Sequence, residues 1–358
     1  MYILGIETSC DETAASVVKD GKSILSNVVA TSLKEHSKYG GIIPEIASRR
    51  QIELISAVVQ KSLEDAGIAL SDIDALAVTQ SPGLIGSLLV GVSYARALSF
   101  ALRKPLVNVD HIQAHLYANF LTPLKPASPK NPRPKLPAIG LVVSGGHSSL
   151  FELRDFTEFK LLGQTRDDAA GEAFDKVARI LGLGYPGGPV IDRLAKKGVN
   201  NGIRFQSAEL PGTFDFSFSG IKTAVLYYQK NNQGKPDYRV EKIAYAFQKS
   251  VVEILVKKSI EACKKKNVRT LLMGGGVAAN SYLREKALQE AKAVKIQAFF
   301  PPLVLCLDNA AMIAGLGYHR LLEKKSNKVN ALGRISRYHK HNRKKAISRP
   351  SSALSRNN

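Results

Sequence analysis

The chain predicts an α/β protein of two related lobes facing a central cleft, on three observations. Apolar strands and amphipathic helices alternate along much of its length, which implies sheets with parallel strands covered by helices. The stretch LTPLKPASPKNPRPKLP carries six of the sixteen prolines and reads as an extended connector, because proline fixes φ and removes a donor. After it the opening pattern recurs. Strand AIGLVV, turn SGGHSS and strand LFELRD repeat strand YILGIE, turn TSCDET and strand AASVVKD, so a duplicated unit would set two polar turns across one cleft. The length of 358 residues also exceeds the ~250–300 at which single cores stop growing.

The elements follow in order. Asp20-Gly21 between AASVVKD and KSILSNVVA is a hairpin signal. Ile52, Leu54, Ile55, Val58, Val59 and Leu63 fall near helical spacing, which predicts a helix from about 46 to 66 with Gly67 as its stop. Strand ALAVTQ, glycine-rich turn SPGLIGS, an apolar helix to Leu102, strand PLVNVD and a helix opening on DHIQAH complete the first lobe, residues 1–120. The connector takes 121–137. The second lobe, 138–307, continues through RTLLMGGGVAAN and KIQAFF, and a helix at about 308–325 is expected to complete the first. A basic tail at 333–358 is read as disordered.

The formal charge is +21. A field of that sign suggests a polyanionic partner, with nucleic acid first. From Gly333 onward there are eight Lys/Arg and no acid, so the body keeps +13 without them. No run approaches the ~18 uncharged apolar residues of a membrane span, and the N-terminus lacks a signal peptide's basic start and cleavage site. A cytoplasmic protein without membrane attachment is expected. Cys10, Cys263 and Cys306 form no CxxC pair, which suggests neither a disulfide framework nor a cysteine zinc site.

Several residues could carry chemistry. His111 and His115 stand at i, i+4 on one helix side, and Asp308, at the start of an apolar helix, is either its N-cap or the carboxylate of a two-histidine, one-carboxylate metal site. A zinc protease of the HExxH type needs glutamate where this chain has Ile112. Ser144-Gly145-Gly146-His147 and Met273–Asn280 are glycine turns that either close structure or cradle an anion; neither matches the P-loop or dinucleotide fingerprint. Capping accounts for Asp167 and Asp168 at the start of the helix in DDAAGEAFDK. It does not account for Asp175, which with Asp192 could bind ribose hydroxyls or an amino-acid moiety. Asp11 and Glu12 would repel a bare triphosphate, yet could accept a proton or bind an ammonium or metal.

As a set, GIETSCDET, DHIQAH, VVSGGH, DDAAGEAFDK, GYPGGP, FSFSGIKTA, GGGVAAN and DNAAMIA resemble the tRNA adenosine threonylcarbamoyltransferase family of the TsaD type, once described as glycoproteases. The likeness runs from about Met1 to Leu322. It implies the actin, sugar kinase and Hsp70-like (ASKHA) fold with duplicated RNase H-like domains. It also implies transfer of threonylcarbamoyl from threonylcarbamoyl-AMP to the N6 amine of adenosine 37 in tRNAs reading codons that begin with adenine. By motif match, one divalent metal per subunit, iron(II) with zinc as the alternative, falls on His111, His115 and Asp308. Substrate-binding positions fall on Val142, Val143, Ser144, Gly145, Gly146, Asp175, Gly188, Asp192 and Asn280. The reaction requires a proton acceptor, and Asp11 is the candidate. A TsaB-like inactive paralogue and a TsaE-like P-loop ATPase are the implied protein partners. The competing readings are a sugar or acyl kinase of the same fold, which would not need His111, and a metalloprotease, which Ile112 disfavours.

Overall fold

The structure is a computed structural model that describes residues 1–122, 133–199, 202–206 and 210–323. Most of the proline-rich connector and all of the tail expected over 333–358 lie outside the described residues.

The chain opens with β1 (Tyr2–Glu7) and β2 (Glu12–Lys19), then β3 (Ser23–Ile24) and β4 (Val28–Thr31). Helices α1 (Leu33–Ser37) and α2 (Pro44–Ala66) follow, then β5 (Ala75–Ser81), α3 (Ile85–Leu102), β6 (Leu106–Asp110) and α4 (His111–Tyr117). The second half runs β7 (Ala138–Val143), β8 (Ser148–Leu153), β9 (Phe159–Gln164), α5 (Ala170–Ile180), α6 (Gly187–Ala195), α7 (Ser219–Asn232) and α8 (Val240–Lys266). It ends with β10 (Thr270–Gly274), α9 (Ser281–Ala293), β11 (Gln297–Phe299) and α10 (Ala310–Leu322).

The two sheets repeat one plan. The first has the order β3-β2-β1-β5-β6 with β4 also on β2, and the second has β9-β8-β7-β10-β11. In each, the opening strand pairs antiparallel with its successor and parallel with the strand reached after a helical crossover. The two-lobed ASKHA architecture expected from the sequence is therefore present. The hairpin falls at Asp20 (φ 52°) and Gly21 (φ 68°), the positive angles an Asp-Gly turn supplies. KSILSNVVA does not form one strand. Leu25 and Ser26 both donate to Val17 O, and this crowding at one carbonyl separates β3 from β4.

Strand alternation sends neighbouring residues to opposite faces. Leu4 and Ile6 meet α2 and α3, while Ile3, Ala75 and Ala77 meet α10. In the second sheet Ile139, Leu141 and Val143 meet α5 and α8, while Ala138 and Val142 pack with Ile112 and Leu116 of α4. The closing helices thus cross over. Helix α4 ends the first lobe and sends Ile112 and Leu116 to the second sheet while Ala114 and Tyr117 stay with the first, and α10, the last described helix, lies on the first. Glycines allow both approaches, since a Cβ at Gly140 would stand 2.5 Å from Leu116 Cδ1 and one at Gly5 would stand 2.3 Å from Ala310 O. Among the described residues one helix, α3, is long and apolar enough to cross a membrane. Its Leu88, Gly91, Val92 and Ala95 side is buried, and beside that stripe it exposes Ile85, Leu89 and Phe100.

Candidate metal centre and cleft

The crossing of α4 and α10 brings the expected metal residues together. Asp110 caps α4 by accepting from Gln113 N at 2.9 Å, which sets His111 and His115 on its first two turns with ring centroids 4.6 Å apart. Asn309, not Asp308, caps α10, accepting from Met312 N at 3.1 Å. Asp308 is thereby spared capping duty. Its Oδ1 lies 3.1 Å from His115 Nε2 and 3.6 Å from His111 Nε2.

These residues fit a divalent cation. One ligand atom from each lies within 4.8 Å of the others, close to twice the ~2.0–2.2 Å of metal–nitrogen and metal–oxygen bonds. His115 is fully buried, and neither ring nitrogen makes a hydrogen bond, despite the short approach of Nε2 to Asp308. Buried orphan nitrogens are costly unless something satisfies them. Burial alone would lower the His111 pKa, but Asp308 and Glu7 overcome it and hold it near 9. The same imidazoles hold Asp308 below the usual carboxylate range against its own burial.

The cleft side of this cluster is polar. Glu12 is raised well above the ordinary carboxylate range, by burial first and then by Asp308 and Asp11. Asp11 is buried, and its charge helps raise the pKa values of Cys10 and Glu12. Gln51 of α2 steadies this turn, its Nε2 donating to Cys10 O and Glu12 O at 3.0 Å each.

The second lobe supplies the facing turns. Val142 and Val143 are wholly buried, so they have only backbone to offer a ligand. Ser144 closes the turn, with its N donating to His147 O at 2.8 Å and its Oγ accepting from His147 N at 3.2 Å. Gly145, Gly146 and Gly188 have open space where a side chain would stand. Asp175 Oδ1 accepts from Gly187 N at 2.7 Å. Burial raises its pKa, partly countered by the Gly187 and Gly188 amides. Asp192 accepts from Ser281 Oγ at 2.8 Å. Asn280 spends its oxygen capping α9 through Leu283 N and its amide on Gln248.

Asp167 and Asp168 require a correction: they do not cap their own helix. Ala169 occupies that position, with Glu172 bonding back to its N–H. Asp167 instead accepts from Phe218 N and Ser219 N at the start of α7, and Asp168 joins Lys176 to Lys222. Two cleft residues were given no role of their own by the sequence reading. His147 is pushed down to about 4, by burial and then by the positive charge of His111 and His115. The Tyr185 hydroxyl is raised by burial, then by Asp175 on its own lobe and Asp11 on the other. The SGGH and GYPGGP motifs had flagged their neighbourhoods, but only the fold shows that both side chains face the opposing charges.

Two sheets of one plan, with polar turns facing each other, define the ASKHA class of two-lobed folds. The family described as TsaD, tRNA N6-adenosine threonylcarbamoyltransferase, matches residues 23–315. A protein of that name from Clostridium botulinum (strain 657 / Type Ba4) is 50% identical over 337 residues, covering 92% of this chain and 96% of its own. One from Syntrophus aciditrophicus is 50% identical over 339 residues, covering 93% and 97%. The chain belongs to the tRNA N6-adenosine threonylcarbamoyltransferase family and is an acyltransferase of tRNA modification. Component A of the (R)-2-hydroxyglutaryl-CoA dehydratase of Acidaminococcus fermentans shares the fold, with TM-score 0.53 at 16% identity over 90% of this chain and 99% of that one.

Proposed function

We propose that the cleft moves the threonylcarbamoyl group of threonylcarbamoyl-AMP onto N6 of adenosine 37, with His111, His115 and Asp308 holding one divalent metal beside the donor. The observation that carries this reading is the convergence of those three side chains where α4 and α10 cross, around the unbonded His115 nitrogens. A bound cation, iron(II) or zinc, would act as a Lewis acid toward the donor's oxygens.

The residues of the chain do the rest. The donor carbonyl is already activated as a mixed anhydride, so positioning and charge stabilisation are the main requirements. The open amides of Gly145 and Gly146 are suited to the phosphate, and Asp175, Gly188 and Asp192 to the nucleoside or amino-acid end. N6 attacks the carbonyl carbon, a C–N bond forms, the acyl C–O bond to phosphate breaks, and AMP leaves. The proton lost from N6 passes to a carboxylate, for which Asp11 is the candidate. The basic body holds the anticodon stem-loop by its phosphates, while the target base unstacks to enter the cleft.

The paralogue and the P-loop ATPase are part of the same proposal. The row Ile85, Leu89 and Phe100 on α3, the last 88% exposed, suits a protein partner of related fold. His111→Ala and His115→Ala tested in reconstituted tRNA modification decide the reading: loss of product supports it, and wild-type product in either variant overturns the metal assignment.

A further inference from the structure

We infer that Glu7, at the end of β1, is the positioning carboxylate that fixes the His111 ring for metal binding; this rests on the metal reading above. Glu7 is fully buried. Its Oε2 lies 3.0 Å from His111 Nδ1 and accepts from Thr79 Oγ1 at 2.6 Å, and its Oε1 accepts from Ser9 N at 2.5 Å. Among the described residues no lysine or arginine pairs with it. A dry carboxylate so placed is expensive unless donors answer it, and its donors are Thr79, the Ser9 amide and Nδ1 of His111.

The geometry selects a tautomer. A carboxylate only accepts, so the His111 nitrogen facing it carries the hydrogen. Nδ1 is then the donor and Nε2, the nitrogen turned toward Asp308, keeps its lone pair for a metal. Ligating histidines are commonly fixed in this way by a second carboxylate or carbonyl. Because Glu7 also takes the Ser9 amide, one side chain ties a metal ligand to the turn that carries Asp11 and Glu12.

Glutamine separates this role from a merely structural one. Glu7→Gln keeps the shape. With its amide oxygen toward Ser9, its NH₂ faces His111 and favours Nδ1 as acceptor, which moves the ring hydrogen to Nε2 and blocks ligation, leaving Ser9 Oγ, 3.1 Å from Nδ1, as the one remaining acceptor for an Nδ1 hydrogen. The opposite amide orientation sets NH₂ against the Ser9 N–H. Thr79→Val removes one donor to Oε2 but leaves the charge and the bond to His111.

The test measures Co²⁺ and Zn²⁺ affinity by competition with a chromophoric chelator, together with the ligand-field spectrum of the Co²⁺ form. Wild type, His111→Ala, Glu7→Gln and Thr79→Val are compared, with far-UV circular dichroism to confirm folding. Glu7→Gln is expected to weaken binding ~10–100-fold and shift the Co²⁺ bands, with Thr79→Val changing less. A change below threefold in folded Glu7→Gln, while His111→Ala loses binding, overturns the inference and leaves the metal site standing. If His111→Ala binds as wild type does, both fall. If Glu7→Gln does not fold, Glu7→Asp decides, because the shorter side chain draws the carboxylate back from His111 Nδ1: a Co²⁺ spectrum and affinity identical to wild type overturn the inference, and a shifted spectrum with weaker binding supports it.

Discussion

Gly275→Ala should injure the molecule through the turn that joins the second sheet to the cleft. Gly275 has φ +87°, and a Cβ there would stand 2.4 Å from Val143 O. With ψ 163° this is a backbone region essentially reserved for glycine, and a residue with a side chain pays about 1–3 kcal/mol there. Relieving the overlap means pushing the turn away from β7, an overpacking cost of about 1–3 kcal/mol. The sum, about 2–6 kcal/mol, is a large share of a typical stability of about 5–15 kcal/mol. Gly145→Ala is the matched control, because its Cβ meets nothing within 4 Å, and it should stay within about 0.5 kcal/mol of wild type. Urea denaturation followed by circular dichroism measures both. A Gly275→Ala loss below about 1 kcal/mol would refute the steric argument.

Three further outcomes follow from the same contacts. Asp167→Ala removes the remote cap of α7, with its bonds to Phe218 N and Ser219 N, and should cost about 1–2 kcal/mol in the same denaturation assay. Asp11→Asn should slow transfer from preformed threonylcarbamoyl-AMP about 100-fold or more; a wild-type rate would remove Asp11 from the proton path. Burial lowers the His319 pKa, while in the unfolded chain it returns to about 6.5. Between those values the unfolded state binds the extra proton, so stability should fall as pH drops below about 6.5. His319→Phe, measured by thermal unfolding at pH 7.5 and 5.5, should show a smaller fall.

What the sequence made legible was local. β1, the Asp20-Gly21 turn and the Gly67 stop of α2 follow from alternation, turn chemistry and helical period, each within a few residues. The duplication was legible too, because its polar turns carry distinctive residues. Strand β9 was not: FKLLGQ buries only Gly163, so it shows no apolar alternation. The role of Asp167 was hidden for another reason, since it caps a helix fifty residues downstream. Glu7 was hidden in the same way. GIETSCDET places it beside a polar turn, but Thr79 and His111, 72 and 104 residues away, reach it only once β5 and α4 are in place. Among the three residues proposed to hold the metal, spacing put His111 and His115 on one helix side, whereas Asp308 entered as one of many aspartates at a helix start. It is Asn309 taking over the cap that separates the two readings.

The most direct test is mass spectrometry of nucleosides from tRNA incubated with preformed threonylcarbamoyl-AMP, the wild-type protein and its expected partners, beside the same reaction with Asp308→Asn. The account predicts threonylcarbamoyladenosine in the first and its loss in the second. Equal product from the folded Asp308→Asn protein would contradict the claim that the crossing of α4 and α10 is where the transfer takes place.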